Sequence, residues 1–68
     1  MASQYNVKFI NAHDGLLVWD GLGIEAESHQ EAYEAELQNW SPARPVSLLV
    51  WVTNLDTFIV YRFEIGLA

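Results

Sequence analysis

No stretch of this chain leaves fewer choices than Val46–Ile65, VSLLVWVTNLDTFIVYRFEI. Val46–Thr53 and Thr57–Ile65 are dense in β-branched and aromatic residues, and Asn54-Leu55-Asp56 separates them with turn chemistry. A helix is disfavoured, because Val50, Val52, Thr53, Thr57, Ile59 and Val60 would each lose rotamer freedom against the preceding turn. In the second strand Ile59, Tyr61, Phe63 and Ile65 share one face, and Phe58, Val60, Arg62 and Glu64 share the other. One apolar and one mixed face is the pattern of an antiparallel pair covered on one side.

The preceding residues supply the cover. Gln4–Ile10 alternates, with Tyr5, Val7 and Phe9 on one side and Asn6 and Lys8 on the other. Asn11–Gly15 is a turn containing Asp14-Gly15, a strong hairpin signal. Leu16–Trp19 returns as a second strand, interrupted at Asp20-Gly21-Leu22-Gly23 by a bulge or a bend, and Ile24–Glu27 continues it. Ser28 and Glu31 form a capping box that starts a helix over His29–Trp40. Its core stripe is Tyr33, Leu37 and Trp40, flanked by Ala32 and by Ala35 or Glu36. Ser41-Pro42 ends the helix, and Pro42–Pro45 leads into the last hairpin. The expected fold is α+β: a single domain over 1–68, with a four-stranded antiparallel sheet and one helix packed on one face (ββαββ). No repeats or linkers are visible.

A chain of 68 residues buries only about 60% of its unfolded surface, so its stability margin is thin. It has no Cys and therefore no disulfide, but 51% apolar residues, with three each of Trp, Tyr and Phe, suffice for a core. No basic segment precedes an apolar one at the N-terminus, and Leu48–Val52 is too short to span a bilayer. The expected location is cytoplasmic, in a bacterial host cell.

Catalytic signatures are missing. Asp14 of His13-Asp14 is accounted for by the turn, and adjacent strand residues point to opposite faces. His29 is expected exposed in the first helical turn, and no zinc spacing is present. Ser3, Ser28, Ser41 and Ser47 lack an elbow-like glycine context. Gly15, Gly21 and Gly23 form no phosphate loop, and Asp14, Asp20, Glu25 and Glu27 lack EF-hand spacing. The expectation is a non-enzyme with no metal and no cofactor.

Two surface features remain. Nine carboxylates against Lys8, Arg44 and Arg62 give a net charge of −6, which repels nucleic acid and favours a basic protein partner. Asp20, Glu25, Glu27, Glu31, Glu34 and Glu36 crowd into one segment with no cation between Lys8 and Arg44. They are either a solvated face or a patch that imitates phosphate spacing. The second feature is apolar excess: burying one face of Leu48–Val52 leaves either Leu49 with Trp51 or Leu48 with Val50 outside. Such a patch is an interface or is covered by loops or termini.

The arrangement of Ile24-Glu25-Ala26-Glu27-Ser28, the helix to Trp40 and the aromatic hairpin Leu49–Phe63 resembles small phage-encoded anti-CRISPR proteins in layout. That resemblance implies an inhibitor of a CRISPR effector (Cascade-type) complex that blocks its DNA-binding site as a DNA mimic. The residues offered for contact are Glu25, Glu27, Glu31 and Glu34, with Asp20 and Glu36 at the rim. The first half also resembles HicB-type antitoxins, through Tyr5–Phe9, a glycine turn, a second strand and a helix containing Glu31-Ala32. That alternative implies an antitoxin-like module. The apolar excess offers another, an assembly or oligomerisation module binding a protein partner through the sheet face. On every reading the chain is expected to be a monomer or small homo-oligomer.

Overall fold

A computed structural model describes residues 2–40 and 46–67 of the chain. The elements run β1 (Ser3–Asn11), β2 (Leu17–Ala26), α1 (His29–Asn39), β3 (Val46–Asn54) and β4 (Val60–Leu67). The strands form one antiparallel sheet in the order β2-β1-β3-β4, with α1 packed across one face. This is the expected α+β architecture. The segment Ser41–Pro45, expected to end the helix and connect it to β3, lies outside the described residues.

The core follows the alternation. Tyr5, Val7 and Phe9 of β1 and Leu48, Val50 and Val52 of β3 are buried beneath the helix. Tyr61, Phe63 and Ile65 of β4 and Trp19 and Ile24 of β2 pack against them from the two edge strands. Ser28 caps α1, its Oγ accepting from the Glu31 N–H at 3.2 Å. The helix face differs in detail from the expected stripe: Tyr33, Leu37 and Trp40 are half-buried, while Ala32 and Glu36 are the fully enclosed positions. His29 is a correction too. It is half-buried and stacks on Tyr61, with ring centroids 3.8 Å apart and planes 8° from parallel.

The break in β2 is a bulge. Tyr5 pairs with Ile24 and Val7 with Gly21, so Leu22 and Gly23 together oppose Asn6. Gly23 sits at φ 65, and its N–H donates to Asn6 Oδ1 at 3.0 Å. A second shift between Phe9 and Ile10 displaces Val18.

The last hairpin corrects the expected boundaries. β4 begins at Val60 instead of Thr57, because the loop runs on through Phe58 and Ile59. It is built like the first loop. The Asn11 carbonyl accepts from Gly15 N–H at 2.8 Å, and Asn11 N–H donates to the Leu16 carbonyl at 2.8 Å. The Asn54 carbonyl accepts from Phe58 N–H at 2.7 Å, and Asn54 N–H donates to the Ile59 carbonyl at 2.9 Å. Each Asn also turns its Oδ1 onto loop amides: His13 in one, Asp56 and Thr57 in the other.

The two hairpins are therefore related by an approximate two-fold axis normal to the sheet, passing by the Lys8–Trp51 pair. Tyr5 opposes Asn54 as Leu48 opposes Asn11. Ala12 N–H donates to the Ser47 carbonyl as Leu55 N–H donates to that of Gln4. Only Val7/Val50 and Asn11/Asn54 are identical between β1 and β3, which hides the repetition from the sequence.

Candidate functional site

The sheet face opposite α1 carries the apolar excess. Leu48 and Val50 turn inward, so Leu49 and Trp51 turn out, with 36% and 40% of their surface exposed. The register sets their neighbours in rows across the strands. One row reads Asp20, Lys8, Trp51, Arg62, and the next Leu17, Ile10, Leu49, Glu64. Val60 extends the apolar area beside Thr53 and Asn6. The Arg62 guanidinium lies over the Trp51 indole, 5.4 Å from its centroid, which orients both side chains by cation–π attraction. The result is an apolar centre of Leu17, Ile10, Leu49, Trp51 and Val60, bordered by charges of both signs.

The six acidic candidates do not form one surface. Asp20 pairs across from Lys8 and Glu25 from Gln4, which places both on the open sheet face, away from the helix. Glu31 and Glu34 are exposed on α1, and Glu27 is exposed just before it. Glu34 accepts a hydrogen bond from Gln30 Nε2 at 3.2 Å. Glu36 is a correction to the expected rim: only 7% of its surface is exposed. Its carboxylate lies against the bare Cα of Gly21, and Oε2 accepts from Asn39 Nδ2 at 3.1 Å. Gly21 makes room for it, a pairing that the sequence signals only as one more glycine in the β2 interruption.

Charge is divided between the two faces. Both described cations, Lys8 and Arg62, lie on the open sheet face, whereas Glu31 and Glu34 are exposed on α1. Asp14 serves its loop, accepting from Leu16 N–H at 3.0 Å. Among the described residues no group of three or more His, Asp or Glu is placed to hold a metal, and no helix is long and apolar enough to cross a membrane. Set against known proteins, the chain matches no family model, no curated sequence and no solved structure.

Proposed function

We propose that this protein acts by stoichiometric binding to another protein, without turnover, through the open sheet face centred on Trp51. The observation that carries the reading is an apolar centre left uncovered on one side of a two-layer fold. Strands about nine residues long and about 4.8 Å apart give that face roughly 500–600 Å² in plan. Projecting side chains raise its accessible area toward the ~800 Å² per partner of a stable complex. The partner that fits is a basic protein with an apolar patch of its own. The net charge of −6 speeds its approach, and burial of Leu49, Trp51 and Val60 holds it.

A second reading is favoured by α1, where Glu31 and Glu34 are exposed. On that reading the acidic helix occupies a Lys/Arg-lined nucleic-acid site, as the anti-CRISPR resemblance implies, and the inhibited partner is a DNA-binding effector subunit.

Capture from bacterial lysate with three forms of the protein separates them. The first reading predicts that Trp51→Glu abolishes capture at all salt concentrations, while Glu31→Lys/Glu34→Lys retains it. The second predicts the reverse, with capture confined to low salt and reversed by added duplex DNA. Failure of the wild type to capture any protein in stoichiometric amount contradicts both.

A further inference from the structure

The two edges of the sheet are unlike. β2 is interrupted by two register shifts and a left-handed glycine, devices that discourage another strand from pairing with it. β4 pairs with β3 from Val46↔Leu67 to Thr53↔Val60 without a shift, and contains no Pro. Among the described residues no backbone hydrogen bond reaches its outer edge. An unblunted edge of this kind is a template for another strand.

The pattern of β4 specifies which strand. The Asn54 N–H bond to the Ile59 carbonyl fixes the ladder phase, so Tyr61, Phe63 and Ile65 direct their backbone groups toward β3. Val60, Arg62, Glu64 and Gly66 direct theirs outward. We infer that β4 pairs antiparallel with β4 of a second copy, about a two-fold axis at Phe63. In that register the outward-directed residues face one another: Arg62 opposes the second copy's Glu64, and Glu64 opposes its Arg62. Moving the register by one step of the ladder either way opposes Arg62 to Arg62 or Glu64 to Glu64, and a slip by one residue turns every side chain to the wrong face. Only the register centred on Phe63 places opposite charges together.

The helix side agrees. Phe63 meets Phe63, and Tyr61 meets Ile65, joining half-buried residues at the margin of each core. Two four-stranded sheets become one of eight strands. Because the axis is normal to the sheet, both Trp51 faces stay on the same side, and the binding surface is doubled. This pairing stands whether or not that surface is the functional one.

Sedimentation equilibrium over a concentration series tests it, with far-UV circular dichroism to confirm folding. The wild type is expected to be a dimer. Arg62→Glu and Glu64→Arg each oppose like charges twice and are expected to weaken it by about tenfold or more. The double variant Arg62→Glu/Glu64→Arg restores complementarity, and an equimolar mixture of the two single variants forms a heterodimer. If loss of the Trp51 contact unfolds Arg62→Glu, Glu64→Arg, which keeps Arg62 in place, carries the test. A wild-type monomer at every concentration overturns the proposal. So does a dimer unaffected by the single charge reversals, including one dissociated instead by Trp51→Glu.

Discussion

Phe58 stands in the second hairpin where Gly15 stands in the first. Gly15 has φ 75 and Phe58 φ 61, and each donates its N–H to the Asn that opens its loop. Glycine takes the left-handed region freely, whereas a bulky side chain there crowds its own backbone at a cost of about 1–2 kcal/mol. Phe58 recovers little of this by burial, since 77% of its surface is exposed.

Phe58→Gly is therefore expected to stabilise the fold. Relief of the left-handed strain exceeds the extra chain entropy of glycine, for a net gain of about 0.5–1 kcal/mol. Thermal unfolding should show a Tm a few degrees higher. Gly15→Ala imposes the same kind of strain on the first loop and should lower Tm by a similar amount. A Tm lowered by Phe58→Gly would mean that the exposed ring contributes packing the structure does not contain.

Gly21 and Glu36 form a second matched pair. A Cβ at Gly21 runs into the Glu36 carboxylate and also crowds Ile24. Gly21→Ala should cost about 1–3 kcal/mol in denaturant unfolding. In a Glu36→Ala background the cost should shrink by about 1 kcal/mol or more, because the clashing group is gone. Gly66→Ala, where a Cβ meets open space, should change stability by less than about 0.5 kcal/mol.

Ser28→Ala tests the start of α1. The Ser28 hydroxyl satisfies an otherwise unpaired helical N–H, and its loss should cost about 1 kcal/mol. In a chain this small that is a sizeable part of the total, visible as a lower urea midpoint at unchanged slope. An unchanged midpoint would assign helix initiation to packing alone.

The fold was legible because its signals are local. Alternation in β1 and β4 marked the faces, and Ser28 marked the helix start. What escaped depends on contacts across elements. Residues 57–65 carry β-branched and aromatic side chains from the first position, yet the Asn54 side chain holds Asp56 and Thr57 in the loop and delays β4 to Val60. Glu36 looked like a surface charge because nothing along the helix shows that Gly21 lies opposite. His29 looked exposed because its stacking partner, Tyr61, is on the strand most distant in sequence. The choice between Leu48 and Leu49 as the inward residue follows only from pairing with β1, where Leu49 opposes Ile10 on the open face. The acidic run had the same weakness: closeness in sequence placed six carboxylates together, and strand alternation with the chain reversal into α1 parted them.

Trp51→Glu should leave the fold intact, because the side chain is already partly in water and its removal opens no buried cavity. Its unfolding midpoint should fall by less than the equivalent of about 1 kcal/mol, the scale of the lost contact with Arg62. Leu48→Ala, three residues earlier on β3 and in the core, should cost about 2–5 kcal/mol. Comparable losses for the two would mean that the Trp51 face is packed in the folded monomer.

Site-specific photocrosslinking separates contact through the open sheet face from contact through the helix. A photoreactive residue is placed at Leu49, beside Trp51 on the open face, or at Glu34 on the helix, and each form is irradiated with its captured partner. Binding through the Trp51 face gives a covalent adduct from position 49 and none from position 34. An adduct from position 34 alone would contradict it and assign the contact to the acidic helix.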